Sequence, residues 1–509
     1  MYRRNFLKIM AVSPLAAAAC SSTAHDFQLD FERDEVTVSS LQAGMQSGKW
    51  SARSITQLYI DRIGQLDRSG PALQAIIEVN PDALQTAEEL DAERKARGPR
   101  SLIHGIPVLL KDNINTPGPL TTTAGSLALQ GSIPPEEAAV AKRLRDAGAI
   151  ILGKSNMSEW ANFRSAQSTS GWSARGGQCR NPYVLNRSPF GSSSGSAVAA
   201  SANLCAITIG TETDGSIVSP AAVCGVVGLK PTVGLVSTAG VIPVAHSQDV
   251  PGPICRSVSD AAILLSVLTG QDYTSSLRQD GLKKARIGVV QDRMIADPAI
   301  ERLMNAVLDV LKKQGAELVD IEGFGKEEAP EFEVLLYEFK ADLNAYFASL
   351  SGKFSDLTLK SLIEFNEKNH DEELALFGQD IFQQAEARGP LTDAAYLKAI
   401  EDCRRISRKE GIDAAIARHN VDAFVAPTCG TASVINPGKG DVYVGNSAAL
   451  PAIAGYPHIT VPAGFDGELP IGVSFFGAAR CEPLLLRLAF AFEQATKLRR
   501  KPRFLPMWS

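Results

Sequence analysis

The sequence predicts an α/β protein in which a large mixed β-sheet is sandwiched between helices within a single large domain. Three observations carry this. Short apolar runs recur along the chain, among them "RIGVV", "ELVDI", "DAFVAP" and "GVSFF". Helix-like segments separate them, and that alternation is the pattern of a sheet covered on both faces. With 509 residues, 45% hydrophobic and 21% charged, the chain is long and apolar enough to bury a sizeable core.

The first 20 residues, "MYRRNFLKIMAVSPLAAAAC", stand apart from this pattern. Arg3 and Arg4, then Phe6-Leu7-Lys8, a short apolar stretch and small residues form a signal-peptide layout of the twin-arginine type. Cys20 follows four alanines, as in a lipoprotein cleavage site. Export to a bacterial periplasm is expected, with Cys20 the place for a lipid anchor and the folded domain running over 26–509. No apolar run reaches the ~18 residues of a membrane span. A net charge of −5, with no basic block in the body of the chain, argues against a nucleic-acid partner. The eight cysteines lie far apart without a C-x-x-C pair, which weakens a metal reading and favours free thiols. A monomer or homodimer is expected.

Along the body, "PPEEAAVAKRLRDAGA" (134–149) predicts a helix, with proline at its start, acids in its first turn and Gly148 as its stop. The strand "IILGKSN" follows. Asp297 and Pro298 open a second helix, in which Ile300, Leu303, Met304, Val307, Leu308 and Leu311 repeat at helical spacing. Between about 328 and 420 the chain turns helical and charged, and reads as a helical insert over one sheet edge.

"SPFGSSSGSAVAAS" (188–201) is the stretch that needs explaining. Alone, a Gly/Ser run reads as a linker. Here it leads into "AVAASANL", about nine helical residues that advance roughly 14 Å. The strand "CAITIG" then returns roughly 20 Å. What returns is "GTETDGSIVSP", so Ser192 and Ser216, 24 residues apart, can sit side by side. A third segment, "HGIPVLLKDNIN" (104–115), carries Lys111 in a strand-like apolar run. A lone lysine there reads as a snorkelling side chain at a strand end.

Taken together, "HGIPVLLKDNI", "GSSSGSAVA" and "GTETDGSIVSPAAVCGVVGLKPT" resemble, in order and spacing, the amidase signature family. The resemblance runs from about residue 40 to the C-terminus and implies the amidase-signature fold. It implies a Ser–Ser–Lys triad without metal or cofactor: Ser216 as nucleophile, Ser192 as bridging serine behind a cis peptide bond, and Lys111 as base. The chemistry is sound. A serine hydroxyl attacks poorly until a base takes its proton, and burial of Lys111 would lower a pKa that is otherwise near 10.4. The backbone N–H groups of Thr213, Asp214, Gly215 and Ser216 match the family's oxyanion hole, and Ser193 matches a supporting serine. The chain departs from the common pattern where Phe190, Ser194 and Asp214 replace glycines and Val218 replaces an arginine. These changes bear on pocket preference.

"SEWANFR", "SGWSARGG" and "GTETDGSIV" are similar to the family's bacterial peptide-amidase branch. That similarity implies hydrolysis of the C-terminal amide of peptides; the alternative is small aliphatic or aryl amides. Trp172, with Ser170 and Gly171, is then expected to bind substrate, while Trp160 and Phe163 flank it or belong to an aromatic core. Three other readings compete. Gly-x-Ser-x-Gly around Ser193 also fits an α/β-hydrolase elbow with Asp422 and His458, but "NPYVLNRSPF" is no strand. A non-catalytic anion-binding loop lacks the Gly-Lys-Ser/Thr of a P-loop. The amidase component of a tRNA amidotransferase works in the cytoplasm with partner chains, which the export signal opposes. His104, His246 and His458 read as ordinary polar residues at loop ends.

Overall fold

Eleven of the apolar runs join in one mixed sheet. The structure, a computed structural model, describes residues 35–116, 118–324, 328–442 and 444–508; the segment 1–20, with Cys20, lies outside them. The strands are β1 (Ile76–Val79), β2 (Pro107–Lys111), β3 (Ile150–Ser155), β6 (Ile207–Glu212), β7 (Val227–Lys230), β8 (Val250–Cys255), β9 (Arg286–Val290), β10 (Glu317–Ile321), β11 (Ala423–Pro427), β12 (His458–Asp466) and β13 (Leu469–Phe476), while β4 (Trp172–Ser173) and β5 (Gly177–Gln178) form a separate ribbon. Their order is β1-β3-β2-β6-β8-β7-β12-β13-β11-β9-β10. Parallel pairing joins β3, β2 and β6 on one side and β11, β9 and β10 on the other. The strands between them are antiparallel.

Every residue of β2, β6, β8 and β11 is buried. Successive side chains point to opposite faces, so these strands are covered on both. The amphipathic helix Pro298–Lys313 forms as its sequence predicts, with the Asp297 side chain accepting from the N–H groups of Ala299 and Ile300. The 134–149 segment differs. Its helix covers only Ala139–Asp146, without the proline or the acids. Neighbouring loops hold the earlier residues off: Asn115 Nδ2 donates to the Glu136 carbonyl, and Ala138 N–H donates to that of Asn115.

Between β10 and β11 the chain is mainly helical, with Glu331–Ala348 the longest helix. Leu335, Leu336, Phe339 and Phe347 of that helix pack with Phe382 onto Met157, Trp160 and Phe163, a second core beside the sheet. The Arg164 guanidinium pins this layer. It pairs with Glu159, reaches Glu373 Oε2 at 3.3 Å and lies 4.1 Å from the Phe377 ring. All three charged side chains are buried, and burial holds the Glu159 carboxyl well above its usual range despite the arginine. Arg164→Met leaves two buried carboxylates unpaired and is expected to cost about 3–5 kcal/mol. A lowered urea midpoint checks this; an unchanged one would show that the layer holds without the pair.

Candidate active site

The Gly/Ser run is not a linker: Ser192, Ser193, Ser194 and Ser196 are fully buried. The helix begins at Ser194, three residues earlier than "AVAASANL", so the last of the three serines already belongs to its first turn. Ser193 is spent on the backbone of β6, donating to the Thr211 carbonyl at 3.0 Å and accepting from its N–H at 3.1 Å. Its N–H donates to the Ser216 carbonyl at 3.1 Å, so the two serine segments are joined where the helix-turn-strand unit returns. The Gly191–Ser192 peptide is cis. A Cβ on Gly191 would stand 2.2 Å from Ser158 Oγ, so only glycine fits there. Phe190 has φ +52°, in the left-handed region that favours the glycine it replaces. Its fully buried ring offsets that cost.

Lys111 ends β2, and parallel pairing of Leu110 with Ile209 sets it beside Thr211. Its Nζ lies 2.7 Å from Ser192 Oγ, 3.1 Å from the Thr211 carbonyl and 2.9 Å from Thr211 Oγ1. The side chain is fully buried. Burial lowers its pKa to about 7, against the opposing pull of the Asp249 and Glu212 carboxylates. No carboxylate pairs with its Nζ among the described residues.

Ser216 is 8% exposed and opens onto a cleft of about 240 Å³, lined also by Gly191, Thr213, Asp214 and Ser219. Glu212 fixes the turn, accepting from the N–H groups of Ile217 and Val218 at 2.7 and 3.0 Å. Among the described residues, the N–H groups of Thr213, Asp214 and Ser216 donate to no other group, and the Ser216 hydroxyl makes no hydrogen bond. Such a turn can receive an oxyanion. The far wall comprises Ala161, Asn162, Phe163, Val244, Leu335 and Asn446. Trp160, Ala161 and Asn162 all have positive φ, a backbone twist that sends Trp160 into the core while its neighbours face the cleft.

Trp172, Ser170 and Gly171 are not on that wall. Trp172 packs edge-on against Phe377, with Arg164 over its ring. Ser170 Oγ accepts from Asn162 Nδ2, and Gly171 N–H donates to Ser158 Oγ, so this stretch backs the wall instead of lining it. Phe163 is the aromatic residue that reaches the cleft. Nor does an esterase triad assemble. The Ser193 hydroxyl is bound to β6, and His458 is buried in β12 against Ser474, where burial pushes its ring down to about 3. His104 is likewise buried, its Nε2 on the Leu90 carbonyl, so neither histidine is a loop-end residue. His246 faces Asp342. The seven described cysteines are free thiols. The sequence reading missed Thr211, both of whose oxygens face the lysine. The signal was there, a hydroxyl in an otherwise apolar strand. Val244, Leu335 and Asn446 come from distant segments and carried no such signal.

The Amidase family matches residues 54–486. A probable amidase of Arabidopsis thaliana is 40% identical over 98% of this chain and 96% of its own. The amidase-like component of a glutamyl-tRNA(Gln) amidotransferase from Thermoanaerobacter pseudethanolicus is 33% identical, over 92% of this chain and 98% of its own. The crystal structure of peptide amidase from Stenotrophomonas maltophilia superposes with a TM-score of 0.89 at 49% identity, covering 92% of this chain and 99% of that one. The chain therefore belongs to the amidase signature family and is a hydrolase of amide C–N bonds.

Proposed function

We propose that the protein hydrolyses the C-terminal carboxamide of peptides to acid and ammonia through an acyl-enzyme on Ser216. The observation that carries the mechanism is the 2.7 Å contact between Lys111 Nζ and Ser192 Oγ in a dry pocket that lowers the lysine pKa to about 7. A neutral amine there donates two protons to the Thr211 oxygens and turns its lone pair to the Ser192 hydroxyl. Ser192 passes its proton to Lys111 and takes the one on Ser216. The Ser216 oxygen bonds to the amide carbon, and the oxyanion meets the N–H groups of the 213–216 turn. The Ser216–Ser192 contact closes as substrate fills the cleft, since catalytic hydrogen bonds often tighten only in the complex. Collapse breaks the C–N bond, and the nitrogen leaves as ammonia with the proton returned along Ser192. Water then repeats the sequence on the ester and releases the acid.

For the substrate, the support is the likeness to a peptide amidase over nearly the whole chain, together with a cleft walled by Phe163, Val244 and Leu335. Incubation with an amidated tetrapeptide tests it by mass spectrometry. The expected product carries OH in place of the terminal NH₂, with internal peptide bonds intact. Unchanged peptide alongside rapid turnover of a small aryl or aliphatic amide would refute the peptide reading and leave the triad standing.

A further inference from the structure

We infer that the carboxyls of Asp214 and Glu331 form a cation subsite in the cleft, selecting amides whose acyl part carries a protonated nitrogen. The inference rests on the proposed acyl transfer to Ser216, two residues from Asp214, and adds the charge of the substrate.

The sequence departures point the same way. Where the common family pattern has a glycine and an arginine on either side of the serine, this chain has Asp214 and Val218. One negative charge is gained and one positive charge lost within the same turn. The structure gives Asp214 a place to act. It lines the cleft beside Ser216, and its Oδ1 is buried with no hydrogen-bond partner among the described residues. A carboxylate oxygen in that position is costly unless a ligand supplies the donor.

Glu331 opens the helix Glu331–Ala348, whose N-terminal turn favours a negative charge. Gln248 ties it to the Asp214 turn, its Nε2 donating to Glu331 Oε1 at 2.7 Å and to the Thr213 carbonyl at 3.4 Å. The two carboxyls sense each other. Burial, then Glu331 and Glu212, holds Asp214 well above the usual carboxylate range, and burial raises Glu331. A cation arriving beside them relieves that repulsion. Lys230 and Arg293 act on Asp214 in the opposite sense, but neither pairs with it among the described residues. Lys230 Nζ donates to the Pro231 carbonyl and faces Glu212 and Glu482. Phe163, Val244 and Leu335 complete the cleft, an apolar wall that suits an aliphatic stem and weakens solvent screening of the charge.

Two substrate pairs test this with the full protein, reading kcat/KM from ammonia release. N-acetyl-lysinamide against N-acetyl-norleucinamide reports a side-chain cation; leucinamide against N-acetyl-leucinamide reports an α-ammonium. The cationic member of at least one pair is expected to be preferred roughly tenfold or more, the worth of one hydrogen-bonded charge. That ratio should collapse in Glu331→Gln and in Asp214→Asn. Because it is a ratio, it is unaffected by any loss of activity common to both members. If Asp214→Asn does not fold, Glu331→Gln supplies the same comparison. Turnover of both pairs without preference, or a preference that survives Glu331→Gln, overturns the subsite and leaves amide hydrolysis untouched. No turnover of any of the four overturns the underlying reading and the subsite with it.

Discussion

Ser216→Ala is expected to lower amide hydrolysis by roughly 10⁴-fold or more, the scale seen when a serine nucleophile is removed. The protein should melt within a few degrees of the parent. The two effects separate because the hydroxyl is presented to the cleft and not used to hold the fold: Ser216 is 8% exposed, and its side chain makes no hydrogen bond among the described residues. The segment contacts run through its backbone carbonyl, which accepts from Ser193 N–H and is untouched by the substitution. Ammonia release and a melting curve on the same preparation check both halves. Ample activity with an unchanged melt would sink the nucleophile assignment.

Lys111→Met should lose about 10²–10⁴-fold or more, the worth of a positioned general base. Lys111→Arg should not restore it, because a guanidinium does not deprotonate in this range and cannot accept the Ser192 proton. The pH dependence follows from the same geometry. The working form is the neutral amine, and burial sets its pKa at about 7. The wild-type rate therefore climbs as pH rises through that value and levels off above it, falling about tenfold per unit below. A histidine titrates in the same range, so the substitutions decide between them. The step should vanish with Lys111 and survive replacement of His104, His246 or His458. A step lost with a single histidine would overturn the Lys111 assignment.

Much of this site was legible in the sequence. The apolar run before Lys111 marked a strand with a buried end, and β2 places it there. The lengths of helix and strand between Ser192 and Ser216 required the two to return to one place, and the Ser193 N–H to Ser216 carbonyl bond records it. Such inferences hold because they depend on local periodicity and on fixed rises per residue. The helix at 134–149 was drawn too long because its first residues are held by loops far along the chain, a competition that local propensity does not register. Trp172 was placed at the substrate because a tryptophan reads alike whether it faces a ligand or a core. Its neighbours Phe377 and Arg164 settle which.

What the sequence determined by itself was the α/β architecture, the amidase signature and the three residue types whose order and spacing make acyl transfer to serine chemically coherent. Those features are periodic or covalent: hydrophobic repeats choose helix or strand, and residue separations bound what can meet. What only the tertiary structure decided was the environment. It gave Lys111 a dry pocket with Ser192 and Thr211 oxygens as its neighbours, spent Ser193 on the β6 backbone, and assembled the cleft wall from Phe163, Val244, Leu335 and Asn446. The physical reason is that burial and dielectric are properties of the whole packing. A lysine becomes a base near neutral pH only because segments distant in sequence exclude water from it together.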